Sequence, residues 1–502
     1  MKKLIALLLA VAFVFAVAVG CSNNNPGKTD DTTGGKNTGD DTTAPAVKPW
    51  YDGLNFDGED IVVGVQGGYY DDYIFGIEGG DIAWASIYEA NETVPGSLGL
   101  KLEINTYTDS QSQSILDMFN EIQKGDCPDD VVLPDQYFGV CYVVNNAYQN
   151  VRALDTENNW LNLNADCWYK DYHKNLAADS DKALYFLAGD LSPTILAWCA
   201  CSFVNIDLYN NIFGDDEAIN DFLDLVEEGK WTIEQCAELC KKAFVDLNSN
   251  QKVDLEDQLG ASTSQGQSAS FAALAAGMVF SRKVGDAYEI DCATERNNDI
   301  YKKIYELYTK TEGFLTYDYG VTPDGNIDTF VDGRQLMMNE YFLYAFRPQI
   351  RDMEDSYVIV PRPKADEQQE KYLSSMQDGL KLYSIPATAP ASKLEAITAY
   401  LQRSCEVYNE KVIPAMYETS LKIKYASEKI DPDQVSRLID LVRSGIYSDF
   451  AAVYNHALNN IVDLVGGLTM SKAPDWNARI SIQLGQYKTR LKTLLDGFAA
   501  LK

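Results

Sequence analysis

From Gly58 onward, short apolar runs alternate with amphipathic stretches, and that order restricts the chain to a sheet flanked by helices. Ile61-Val-Val-Gly-Val65 reads as a buried strand, and a helical stretch follows around 82–91. Residues 102–107 alternate as a second strand, 112–124 have helical spacing, and 131–133 form a third strand. Parallel neighbours need a crossover, so this strand–helix–strand order predicts a parallel α/β sheet with ligand loops at the strand C-terminal ends. Those ends carry Gln66-Gly-Gly-Tyr69-Tyr70-Asp71 and Pro134-Asp135-Gln136-Tyr137. Gly67 and Gly68 let the backbone approach a ligand, and Tyr69, Tyr70 and Asp71 offer stacking faces and a polar grip. No GxxxxGK[ST] follows, so this is not a phosphate loop.

The first fifty residues speak for the compartment. Lys2 and Lys3 precede an apolar run over 4–19, then Gly20 and Cys21. A basic start, a short apolar core and a small residue before the cut make a secretory signal, residues 1–20, too short to stay as a membrane span. Ala18-Val-Gly-Cys21 resembles the bacterial lipobox, with Ala18 where Leu is usual. The resemblance implies cleavage before Cys21 and lipidation of its sulfur, which would hold the protein at the extracellular face of the membrane. Residues 21–57 are rich in Asn, Thr, Gly, Asp and Pro and predict a flexible tether.

The formal net charge of −32 argues against nucleic acid, which requires basic patches. Nine cysteines besides Cys21 show no repeating frame and read as core thiols. Only His173 and His456 are present, which leaves little material for a His-activated nucleophile or a His-ligated zinc.

Gly229–Gly260 joins a helix to a polar loop. Thr232 is placed to cap it, and Ile233, Cys236, Leu239, Cys240 and Phe244 recur at helical spacing. The loop then sets Asp246, Asn248, Asn250, Asp254 and Asp257 at positions 1, 3, 5, 9 and 12, with the Lys252 carbonyl at position 7. That is the spacing of an EF-hand loop, suited to calcium because a hard cation takes about six to eight oxygens. Gln251 stands where the turn glycine is usual and Asp257 where Glu is usual.

The Lys-Trp-Thr helix start and this loop are similar to the middle of extracellular solute-binding proteins of ABC importers, in the maltose and multiple-sugar branch. Further stretches resemble the same family in order: 183–209 as the first lobe crossing, Phe330-Val-Asp-Gly-Arg-Gln-Leu-Met-Met-Asn-Glu-Tyr341, Val358-Ile-Val-Pro-Arg-Pro-Lys364, and the strand 376–385. The resemblance implies a two-lobe periplasmic-binding-protein-like α/β fold joined by hinge strands. Its first lobe would take 58–193 and the return segment 334–389. The second would take 194–333, with the loop 246–257, and the C-terminal helices 390–502, read as 394–408, 432–444, 450–465 and 480–501. It further implies that the protein is a monomeric binder, not an enzyme, which captures a small solute, a sugar, by hinge closure and hands it to a membrane permease. The candidate ligand residues are Tyr69, Tyr70, Asp71, Asp135, Gln136, Asp190, Glu340, Tyr341, Asp378 and Trp476, with Ser192, Thr194 and Trp198 near the cleft mouth. Asp135 has the firmest place among them. Calcium would be structural, away from the cleft.

Two other classes share these traits. A lipid-anchored glycoside hydrolase would also be secreted and acidic, although no catalytic carboxylate spacing stands out. An adhesion or scaffold protein is prompted by the dockerin-like loop, of which a dockerin carries two and this chain one.

Overall fold

A computed structural model describes residues 48–68, 71–154, 157, 159–318, 320–422 and 430–501. The signal segment, Cys21 and most of the tether lie outside the described residues, as do Tyr69 and Tyr70. Among the described residues, no helix is long and apolar enough to cross a membrane.

The first sheet has strands β1 (Glu59–Gln66), β2 (Leu100–Tyr107) and β3 (Val131–Val132), in the order β2-β1-β3 and all parallel. Ile61, Val63 and Val65 are buried, which makes β1 the centre of the sheet. Gly64 is required there, since an added Cβ would stand 2.1 Å from Asp129 Oδ2. The crossover helix Ile82–Leu98 is capped by Asp81, whose Oδ1 accepts from Trp84 N, and ends at Gly99 with φ +64°. Helix Gln111–Lys124 connects β2 toward β3. Antiparallel bridges Val132–Ser384, Asp135–Lys381 and Leu187–Tyr383 add a late segment, residues 381–384, beside β3.

The second sheet is mixed. It contains β4 (Ala200–Asn205), β5 (Leu259–Ser264), β8 (Phe314–Tyr317), β9 (Gln335–Tyr341) and β10 (Tyr357–Pro361), in the order β10-β4-β9-β5-β8. Strand β4 runs antiparallel to β9 and β10, while β5 runs parallel to β8 and β9. A separate hairpin joins β6 (Ser281–Val284) and β7 (Ala287–Ile290). Helix Ile233–Ala243 starts as expected, with Gln235 Oε1 accepting from Thr232 N at 2.9 Å.

The segments expected to return to the first lobe and to close the second divide between the two sheets. Strand β9 is buried along almost its whole length and needs a neighbour on each side, so it sits between β4 and β5 in the second sheet and takes β10 with it. Of the return segment 334–389, the turn 342–352 leans on the first half, where Phe346 meets Trp84 and Arg351 pairs with Asp81 at 2.8 Å. Only 376–385 then rejoins the first sheet. The C-terminal helices also divide. Leu394–Val407, a π-turn Tyr408–Val412 and Ile413–Lys422 pack on Ile82–Leu98 of the first half, where Tyr408 OH donates to Asn91 Oδ1. Pro432–Ser444 packs on β10, Leu464–Met470 on helix Gln267–Ala275, and Trp476–Ala499 on β7 and helix Glu295–Lys310.

Three crossing segments lie side by side where the sheets meet. Ala200 N donates to Ser375 O, Phe342 N to Cys199 O, and Gln377 N to Trp198 O. Residues Tyr51–Lys502 form one compact unit around this seam.

Candidate functional site

Under the seam lies a buried polar frame. Gln66, at the end of β1, receives Lys381 Nζ on Oε1 at 2.7 Å and donates Nε2 to Asp109 O. Lys381 is 0 % exposed, and its Nζ lies 4.0 Å from Asp135 Oδ2. Burial lowers the lysine to about 8, with the Asp135 carboxylate opposing the shift. Asp135 Oδ1 accepts from Phe138 N and Gly139 N, which fixes the turn after β3, while its fully buried Oδ2 accepts no hydrogen bond. Gln136, also buried, accepts from the Tyr172 hydroxyl.

Several expected ligand residues lie in the interior. Asp135 and Gln136 lie beneath the surface, because the strand end that carries them is covered by residues 378–382. Asp190 is 0 % exposed and is held by Tyr169 OH at 2.6 Å, Asn409 Nδ2 at 2.7 Å and Arg443 Nη2 at 2.5 Å, an interior ion pair and not a cleft mouth. Ser192 and Thr194 are buried beside it and grip the Lys381 backbone, Ser192 Oγ donating to its carbonyl and Thr194 Oγ1 accepting its N–H. Trp476 is a core residue, its Nε1 bonded to Cys292 O and its ring against Phe280 and Tyr301. A large ring at a helix start has more area to bury than a cleft exposes. Asp71 begins the short helix Asp71–Phe75. Glu340 is buried at the end of β9 and accepts from Asn326 Nδ2. Burial pushes it up to about 7, against the Arg362 guanidinium.

Tyr341 and Asp378 do reach the seam. Tyr341 is half-buried, with its ring 5.3 Å from half-buried Trp198 and 5.8 Å from Phe271. Asp378 is half-buried, and burial with the Asp463 and Asp135 carboxylates pushes it up to about 7. Its backbone carbonyl accepts from Tyr137 N. Tyr137 was passed over in the sequence, although it ends the quoted Pro-Asp-Gln-Tyr run. Its hydroxyl donates to Asn460 Oδ1 at 3.3 Å, and its ring lies 4.7 Å from that of His456. His456, Asn460 and Asp463 fall in the stretch expected to be one helix, 450–465. That helix stops at Val453, and Asn459 and Asn460 take φ of 59° and 56°. The Asn-Asn pair is the signal that could have marked the break.

The seam thus gathers aromatic faces (Tyr137, Trp198, Tyr341, His456), carboxylates (Asp378, Asp463) and an amide (Asn460), all partly open between segments that are otherwise buried. A cavity of about 600 Å³ lies elsewhere, along edge strand β8 between Gln265, Thr311, Thr316 and Met470. It does not join the crossing segments, so the seam is the better candidate.

In the loop 246–257, Asp246 accepts N–H bonds from Asn250 and Gln251, and Gln251 takes φ 61°, the left-handed turn that a glycine would provide. Asn248 and Asn250 direct their amide N–H groups at Asp254, and Asp257, fully buried, receives Leu247 N and Asp254 N. The oxygens Asn248 Oδ1 and Asn250 Oδ1 accept from Asn250 N and Lys252 N within the loop. Elsewhere Glu121, Cys127 and Asp129 are clustered, but the Tyr107 hydroxyl sits between the carboxylates and burial holds the Cys127 thiol at about 12. The nine described cysteines are free, seven of them buried.

No protein-family model matches the chain, and no curated protein matches it. Solved structures do. UspC of M. tuberculosis superimposes with a TM-score of 0.54 at 12% identity, over 86% of this chain and 100% of that one. The galacto-N-biose/lacto-N-biose I-binding protein of an ABC transporter from Bifidobacterium longum, in complex with lacto-N-biose, gives 0.54 at 11% identity over 89% and 99%. An ABC transporter solute-binding protein from Thermotoga lettingae bound with α-D-tagatose gives 0.50 at 12% identity over 86% and 100%. The chain has the solute-binding-protein fold. That fold accounts for two sheets joined by several crossing segments, with strand ends directed at the junction.

Proposed function

We propose that the protein captures a small solute, a carbohydrate, between its two sheets by hinge closure and delivers it unchanged to the permease of an ABC importer. The observation that carries this reading is the half-buried set Trp198, Tyr341 and Asp378 on the segments that cross between the sheets, with Tyr137 and Asp463 beside them. Flat rings cover the apolar C–H face of a pyranose, and carboxylates or amides take its hydroxyls. Solved proteins with this fold hold lacto-N-biose and tagatose, which supports the same ligand class here. Closure requires contacts that exist only in the closed, loaded state. The signal segment and Cys21 place the trap on the outer face of the membrane, and the loop 246–257 holds a structural calcium through Asp246, Asn248, Asn250, the Lys252 carbonyl, Asp254 and Asp257. Calcium there would neutralise carboxylates and brace the loop on its helix.

Calorimetric titration with a panel of mono- and disaccharides tests the reading. It expects stoichiometric heat for at least one sugar and no new reducing ends. New reducing ends would make the protein a hydrolase, and silence across the panel would remove the carbohydrate.

A further inference from the structure

The cavity of about 600 Å³ along β8 does not touch the crossing segments, yet the same two helices reach both places. Helix Gln267–Ala275 puts Ala269 on the cavity and Phe271, two residues on, against the seam ring of Tyr341 at 5.8 Å. Helix Leu464–Met470 starts from Asp463 and brings Gly466, Thr469 and Met470 to the cavity. The two are fastened together there, with Ser270 Oγ donating to Val462 O and accepting from Gly466 N. At a rise of about 1.5 Å per residue, the cavity begins within about one turn of the seam-facing residue on each helix.

The cavity wall offers donors and acceptors of both kinds. Strand β8 is outermost in its sheet, and Gly313 O and Tyr317 O turn inward to accept from Ala261 N and Gln265 N. Alternation therefore leaves the Thr316 N–H and C=O on the open edge. The Gln265 amide, the Thr316 hydroxyl and Lys472 Nζ have no partner among the described residues. Neither charge dominates, since Lys310 is paired with Glu306 at 3.5 Å and Glu312 lines the cavity with Lys472. Such a wall suits hydroxyls, each of which both donates and accepts, and exposed Met470 offers apolar surface to C–H groups. The volume falls in the range of small-molecule sites, about 300–1,000 Å³.

Resting on the carbohydrate reading, we infer that the captured solute is a neutral oligosaccharide, with one end between the rings of the seam and its further sugar units in the β8 cavity. The seam then selects the terminal sugar, and the cavity selects for chain length. Gln265, Thr316 and Lys472 take hydroxyls of the outer units.

The test is calorimetric titration of the full chain with malto-, cello-, xylo- and manno-oligosaccharides, each from the monosaccharide to the hexasaccharide. In the ladder that binds, lengthening past the disaccharide should tighten binding at least about tenfold, as a few added hydrogen bonds would. Gln265→Ala should reduce that gain and Thr316→Trp, which fills the cavity, should erase it, while the shortest binding member keeps its affinity; two variants guard against misfolding of one. Equal affinity for short and long members, or long members binding both variants as tightly as the wild type, would overturn this inference and leave the carbohydrate reading intact. No binding by any member of any ladder would overturn both.

Discussion

Lys381 Nζ lies 4.0 Å from Asp135 Oδ2, with both side chains fully buried. The pair joins the turn after β3 to the segment that returns from the seam, and Gln66 extends it to the end of β1. Removing one partner strands a buried charge. Lys381→Met should therefore cost about 3–5 kcal/mol of unfolding free energy. The double variant Lys381→Met/Asp135→Asn should recover most of that loss, because an apolar group beside a neutral amide carries no unpaired charge. Urea unfolding of the three proteins measures both effects.

Stability should fall as pH rises from about 4 toward 8. Glu340 and Asp378 are both pushed up to about 7 in the folded chain, while an unfolded carboxyl titrates near 4. Between those values the folded state binds more protons than the unfolded one, so the slope of unfolding free energy with pH is negative. The contribution is complete below pH 4 and gone above 7. Lys381, lowered to about 8, acts in the opposite sense between 8 and 10, where the unfolded chain holds the extra proton. Melting temperatures from pH 5 to 8 should show the decline, and Asp378→Asn should flatten part of it.

Trp476→Ala should destabilise the protein by about 3–5 kcal/mol through a cavity among Phe280, Tyr301 and the Cys292 carbonyl. Saccharide affinity per folded molecule should not change. A measured loss of affinity in stable Trp476→Phe protein would put this ring back among the ligand contacts.

Calcium should raise the melting temperature, and a chelator should lower it in calcium-loaded protein. Asp246→Ala should abolish the response, since its carboxylate already organises the Asn250 and Gln251 amides. An unchanged melting curve in millimolar calcium would mean that the loop is held by its own hydrogen bonds alone.

The parallel start of the fold was legible because β1, β2 and the helix Ile82–Leu98 carry clean apolar patterns and end on turn residues such as Gly99. The Thr232 start of helix Ile233–Ala243 was legible for the same local reason. The site was read less well, because burial is set by distant segments. Asp190 looks like a loop acid beside Gly189 and Ser192, yet Arg443, 253 residues later, draws it into the interior. Nothing local distinguishes Asp378, which reaches the seam, from Asp135, which lies under it. Tyr137, Asn460 and Asp463 are brought together only by the return of the chain after Val453.

The most direct test is a calorimetric comparison of the wild type with Trp198→Ala/Tyr341→Ala, using whichever saccharide binds the wild type most tightly. The rings cover the seam and are only half-buried, so the variant should fold and lose at least about 100-fold in affinity. Undiminished affinity in the folded double variant would contradict capture at the junction of the two sheets.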